Sequence, residues 1–373
     1  SNGRYYILTQ DIYLNDTSNF EDWGSIPPAN SWTPIGFLED RDYYSYRFEG
    51  NFDGNGHAIY GVYIALDNSE SVGLFGMCDG ATVSNLSVVD SFISGKQYIG
   101  GITGSSKNES LFYNCYSNCL IQGERLIGGI SGSDDSGVFR YCRNEGDVTA
   151  TIDSAGGIVG ASRGEAANYT TGTIEYCYNT GNITGANVVG GITGCASYTS
   201  DCYNTGTVKA LEGTVGGISG TLSAISPTSV NNYILRCYNI GTIACGTNSP
   251  MGPILGSRGY FTSVTNTYYS NVTADGDIGG GGWYFPDISG GLSTEEMSSP
   301  DSFEGFDFTN TWYIDEDSEY TYPQLAFPDE TRRYAVLSVV DSETNDPIDG
   351  FTVDLDSSSG LTYVEVDGVH YIV

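Results

Sequence analysis

Nine cysteines are present, and five of them recur in one context, which makes them the residues best placed to do chemistry. NCYSN, YCRNEG, YCYNTG, DCYNTG and RCYNIG set Cys115, Cys142, Cys177, Cys202 and Cys237 in register, and Leu86 and Thr267 take the same place in the outer copies. Thiols at a regular period can cross-link, ligate a metal or line a core. The odd total argues against a full disulfide framework. No CxxC occurs and neither histidine, His57 or His370, lies near, so zinc is not expected. Cysteine is among the most buried residue types, which makes a reduced inward column the expected use.

The neighbours of each marker carry further chemistry. Tyr116, Tyr178, Tyr203, Tyr238 and Tyr268 follow it by one residue, with Arg143 replacing one copy. Alternation puts them outside, where stacked rings either stabilise the surface or offer amphipathic rings to sugars. Tyr116, Tyr178, Tyr203 and Tyr238 are therefore the candidate ligand-binding residues. Asn144, Asn179, Asn204 and Asn239 follow by two and predict an inward ladder of amide hydrogen bonds.

A glycosidase needs two acids facing one cleft, about 5–9 Å apart. Asp147, Asp153, Glu175 and Asp201 share no register across adjacent copies, and Lys96, Lys107 and Lys209 align with no acidic pair. No catalytic residue is expected. The acidic runs Asp134–Asp135 and Asp315, Glu316, Asp317, Glu319 lack the spacing of a calcium loop and read as solvated surface, with weak calcium binding as the alternative. No other cofactor is expected. FDGNGH at 52–57 lacks the lysine of a phosphate loop, and Asn55-Gly56 predicts a hairpin turn.

The elements that hold these residues are repeats. IGGITG, IGGISG, AGGIVG, VGGITG and VGGISG end at Gly104, Gly132, Gly160, Gly194 and Gly220, with degenerate copies ending at Gly76 and Gly256. The steps between these glycines are 28, 28, 28, 34, 26 and 36 residues. From marker to closing glycine the distance is 18, 17, 18, 17, 18 and 19, so the opposite leg absorbs the variation. Stacked coils with insertions at one corner behave this way, and the long inserts 161–176 and 221–236 leave that corner as candidate binding loops. Segments rich in Ile, Val, Thr and Tyr, bounded by Gly and Asn-Thr-Gly, predict short strands. The fold class is all-β: a right-handed parallel β-helix, whose coils are shorter than the blades of a propeller.

Composition excludes several functions. Glycine is 51 of 373 residues, and 14 Lys+Arg against 46 Asp+Glu leave a net charge of −32. Phosphate contacts rely on Lys and Arg, so nucleic acid and anionic membrane are not expected partners. No run approaches the length of a membrane-spanning helix. Without an initiator Met or apolar leader, Ser1 reads as a processed start.

The chain resembles the GLUG-motif repeat family of bacterial surface proteins. The resemblance covers roughly residues 3–328, through YYILTQDIYL at 5–14, WTPIG at 32–36, FEGNFDGNGHAIYGVYI at 48–64, the glycine repeats, LSTEEM at 292–297 and FEGFDFTNTWYIDEDSEYTYPQL at 303–325. It implies a secreted or cell-surface β-helix, often within a long adhesin-like polypeptide. Some members accompany an immunoglobulin-cleaving zinc peptidase, but the HExxH helix of that activity is absent here. After Pro328, VLSVVDSETNDPIDGFTVDLDSSSG resembles the start of a carboxypeptidase-regulatory-like or collagen-adhesin B-type β-sandwich that 331–373 supplies only in part, so the chain is expected to continue. The expected division is an entry cap at 1–70, coils at 71–276, an exit cap at 277–330 and the partial sandwich at 331–373. The expected role is non-catalytic adhesion to a host or environmental glycan or surface protein. A spacer without ligand and a carbohydrate-active β-helix enzyme are the alternatives.

Overall fold

Residues 173–195 show how one repeat becomes one coil. Thr173–Glu175 is a strand, Tyr176 turns the chain at φ 56°, and Tyr178–Asn179, Ile183–Gly185, Val188–Gly190 and Thr193–Cys195 follow as short strands. Each pairs in parallel with its counterpart one coil on: Tyr198–Ser200, Tyr203–Asn204, Val208–Ala210, Thr214–Gly216 and the strand from Ser219. The chain is thus a parallel β-helix. The computed structural model describes residues 4–36, 46–162, 172–195, 198–222, 232–246, 251–259, 262–272, 279–280, 289–315 and 321–328, and the strands 335–336, 363–366 and 369–372. It divides into Ser1–Ala326 and Phe327–Val373.

One sheet runs in nine parallel strands from Tyr5–Ile7 to Thr262–Thr265. Another has eight, from Phe75–Asp79 to Gly279–Gly280. Between them the marker strands form a bent sheet of several ladders. Parallel strands covered on one face by their own coil demand an apolar interior. Columns of like residues supply it. Ile102, Ile130, Ile158, Ile192 and Ile218, the Ile of each GGIxG, and Ile254 of the degenerate GPILG are fully buried. So are Phe112 and Phe139, which stack at 4.9 Å. Each such side chain contributes roughly 1.5–3 kcal/mol.

The five marker cysteines are buried and free, with Leu86 and Thr267 extending their column. The asparagine ladder forms as expected. Asn144, Asn179 and Asn204 each donate Nδ2 to Oδ1 of the next asparagine at 2.8 Å, ending at Asn239. Each of the four also donates to the carbonyl two residues on. The glycine pairs belong to the same device. A Cβ on Gly129, Gly157, Gly191 or Gly217 would lie 2.3–2.5 Å from Cγ of Asn144, Asn179, Asn204 or Asn239 respectively. In these four copies the second glycine leaves the space that the asparagine occupies, and in the first copy Gly101 does the same for Ser117.

One expectation is corrected. Asn55-Gly56 does adopt the left-handed turn, at φ 51° and 76°, closed by the His57 amide on the Gly54 carbonyl at 2.8 Å. It is not a hairpin. Asn51–Asp53 pairs in parallel with Tyr5–Ile7 and Thr82–Ser84, whereas Ala58–Tyr60 pairs with Ile12–Tyr13 and the strand from Ser87. Both edges are taken by other coils, so the turn is a coil corner. In the entry region, Tyr5–Ile7 and Ile12–Tyr13 already pair in parallel with strands that follow them.

Within Ser1–Ala326 the exit region holds a short helix, Thr294–Met297, closed by the Ser293/Glu296 capping box, and an antiparallel pair, Trp312–Tyr313 with Gln324–Leu325. In Phe327–Val373, Ala335–Val336, Val369–Ile372 and Tyr363–Val366 make an antiparallel three-stranded sheet. The remainder of the expected sandwich lies outside the described residues. Among the described residues no helix is long and apolar enough to cross a membrane.

Candidate functional site

The marker places one side chain inward and its two neighbours outward. The residue before it, at positive φ, turns the corner between sheets, and the residue after it starts the next strand. Two outward rows result.

The row after the marker is the expected tyrosine strip. Tyr178 and Tyr203 stack at 4.9 Å and 13°, and Tyr203 and Tyr238 at 5.1 Å and 4°. The strip is not an open platform along its whole length. Tyr238 is 0% and Tyr203 7% exposed, and Tyr268 is also buried. The exit segment covers them: Trp312 lies 6.2 Å from Tyr203 and 5.9 Å from Tyr238, and Phe303 packs edge-on to Tyr238 and Tyr268. Tyr238 donates its hydroxyl to the Pro323 carbonyl, and the Tyr268 hydroxyl accepts from the Glu304 amide. Tyr203 and Tyr238 are thus withdrawn as ligand residues, because the chain's own aromatic segment occupies their place. Stacking imposes a second restriction, since rings packed face to face present edges rather than faces to solvent.

Tyr116 and Tyr178 remain partly exposed. Both donate their hydroxyls to Glu145, at 2.8 and 3.3 Å, and the Arg143 guanidinium sits 4.9 Å over the Tyr116 ring. Burial, then the Glu145 carboxylate, pushes the Tyr116 phenol up from its ordinary value, so it stays a donor.

The row before the marker went unnoticed in the sequence. Tyr141 and Tyr176 stack at 4.9 Å and 15°, and Tyr113 meets Tyr141 edge-on at 5.5 Å. Arg140 pairs with Glu175 at 2.8 Å, and Arg236 grips Asp201 through two bonds of 2.7 and 2.6 Å. Burial, followed by neighbouring charges, raises the phenols of Tyr141, Tyr176 and Tyr233. The signal was present as Tyr immediately before the cysteine in RYCRN and EYCYN.

The carboxylates tested for catalysis are each engaged separately. Asp147 accepts from Asn182, Asp153 from Arg125, Glu175 from Arg140, and Asp201 from Arg236 and Trp312. Asp134, read as solvated, is 1% exposed. It accepts from Ser106 at 2.6 Å, the Gly137 amide at 2.8 Å and Ser162 at 3.3 Å. Burial pushes its carboxyl up to about 6 against those hydrogen bonds. Among the described residues no group of three or more His, Cys, Asp or Glu side chains converges as a metal site. Residues 163–171 and 223–231 of the expected binding loops, and Glu316, Asp317 and Glu319 of the acidic run, lie outside the described residues.

No protein-family model matches the chain. Over 108 residues it is 32% identical to a protein of Evansella cellulosilytica named provisionally as a Gly-rich membrane protein, covering 28% of this chain and 11% of that one. Two solved structures share the fold. One, from Bacteroides ovatus and named provisionally as an immunoglobulin A1 protease, is 18% identical with a TM-score of 0.54, over 88% of this chain and 87% of that chain. The other, an IgA1 protease, is 20% identical with a TM-score of 0.52, over 88% of this chain but 24% of its own length. The likeness establishes a shared β-helix architecture.

Proposed function

We propose that this chain is a non-catalytic, exported adhesin-like module of a bacterial cell-surface protein of the GLUG-repeat kind. It holds a glycan or a surface protein on the outside of its coils and uses no cofactor. The observation that carries this reading is the pair of outward aromatic rows on a rigid scaffold, beside carboxylates each bound to a different partner rather than facing one another. A rigid scaffold with partly exposed tyrosines and paired charges suits binding, whereas hydrolysis of a glycan requires two opposed acids, and Asp147, Asp153, Glu175 and Asp201 each hold a separate partner. The protease names of the fold neighbours are not carried over, because this chain has two histidines and no HExxH. His57 is engaged with Asp11 at 3.1 Å.

Beads coated with the protein, presented to epithelial cells and to immobilised mucin, test the reading. Saturable adhesion competed by free protein is the expected result. Adhesion to no surface favours the spacer, a reading that the burial of Tyr203 and Tyr238 under the chain's own exit segment supports. Turnover of a polysaccharide by the purified protein overturns the non-catalytic assignment.

A further inference from the structure

Tyr178 stacks on Tyr203 at 4.9 Å, so the buried and the partly exposed rings of the tyrosine strip belong to one column. The buried end shows what that column holds. Trp312 leans over Tyr203 and Tyr238, tilted by 52° and 53°, and its indole N–H donates to the Asp201 carboxylate at 3.3 Å. Main chain completes the contact. The Pro323 carbonyl accepts the Tyr238 hydroxyl, and the Glu304 amide donates to the Tyr268 hydroxyl at 2.8 Å. The column thus takes an extended polypeptide, with ring edges for an indole, hydroxyls for main-chain groups and a carboxylate for the indole N–H. The same parts recur on its partly exposed stretch. Arg143 stands between Tyr116 and Tyr178 in the column, 4.9 Å over the Tyr116 ring. Glu145 is exposed and accepts both phenols, at 2.8 and 3.3 Å. A carboxylate has about four lone-pair positions, which leaves room for a further donor. Tyrosine and arginine are also residue types that anchor protein interfaces.

We propose that Tyr116, Arg143, Glu145 and Tyr178 dock an extended, tryptophan-bearing polypeptide segment of a partner, held as the exit segment is held on Tyr203 and Tyr238. The indole lies on the ring edges and donates to Glu145, while the Arg143 guanidinium donates to main-chain carbonyls. A chain of net charge −32 repels acidic segments, so the partner's segment is neutral or basic.

The site rests on the binding reading above and is tested separately. The probe is the end-capped peptide FTNTWY, residues 308–313 of the exit segment, which carries no charged side chain. It is titrated into the protein while the tyrosine ring signals are followed by NMR. Shifts at Tyr116 and Tyr178 with a Kd of about 1 mM or below are expected, and Glu145→Thr is expected to weaken binding at least about fivefold. Threonine stands at this place in the next two coils, as Thr180 and Thr205, so the variant suits the fold. If it fails to fold, Arg143→Tyr decides, because the next coils carry tyrosine there; several-fold weaker binding is expected. Shifts confined to Tyr203 and Tyr238, no shift at all, or affinity kept within about twofold by either variant overturns the proposal. Shifts at Tyr116 and Tyr178 with a neutral oligosaccharide but not with the peptide overturn it as well. Adhesion of coated beads that survives Glu145→Thr, with no peptide bound by the parent, overturns this site while leaving the adhesin reading standing.

Discussion

At the scale of single residues, Asp134 and the cysteines give the most direct measurements. The Asp134 carboxyl titrates at about 6 in the fold against an ordinary 3.8. Between those values the folded state holds the extra proton, so this group's contribution falls as pH rises from about 4 to about 6, by roughly 3 kcal/mol. Chemical denaturation of the parent and of Asp134→Asn across that range is expected to show this slope in the parent and its loss in the variant. Cys78 and Cys119 are pushed up to about 12 by burial, and Cys202 and Cys237 are raised for the same reason. Seven of the nine thiols are buried, while Cys195 and Cys245 are partly exposed. Disulfide-exchange reagent at pH 8 is expected to titrate two thiols promptly and the other seven only after unfolding. The inward column was legible because cysteine recurs with a coil's period. The burial of Asp134 was not, since one acid beside another reads as surface until Ser106 and Ser162 arrive from neighbouring coils.

At the scale of the coil, glycine and asparagine act as one unit. A Cβ at Gly157 would sit 2.1 Å from the Gly191 carbonyl and 2.5 Å from Asn179 Cγ. Gly157→Ala is expected to cost about 3 kcal/mol, since neither backbone nor ladder can give way. Gly290 has nothing within 4 Å of the same atom, and Gly290→Ala is expected to gain about 0.4–1 kcal/mol by restricting the unfolded chain. Urea midpoints of the two variants check the contrast. The period of the coils and the constant leg were readable because both are local spacings. Whether Asn55-Gly56 joins two strands of one sheet was not, because that depends on partners one coil away. The corner tyrosines were overlooked because alternation within a strand says nothing about a residue at positive φ that precedes it.

At the scale of the first unit, the exit segment decides how much of the aromatic strip solvent sees. Trp312 packs on Tyr203 and Tyr238 and donates to Asp201 at 3.3 Å, across 111 residues of sequence. No periodic signal reports such a contact, which is why the strip read as open from end to end. Trp312→Ala is expected to cost about 3–5 kcal/mol. It should also raise quenching of tyrosine fluorescence by acrylamide, as Tyr203 and Tyr238 lose their cover. The asparagine ladder carries a consequence of another kind. Its bonds run from coil to coil along the stacking direction, from Asn144 to Asn239, in addition to the backbone pairs. Tension along that direction peels a solenoid open one turn at a time. The turns before Asn144 and after Asn239 lack this internal stitch and are expected to yield first. The laddered turns hold to a higher load, so a pulled molecule would stretch in two stages and keep the corner tyrosines near Tyr176 in place through the first.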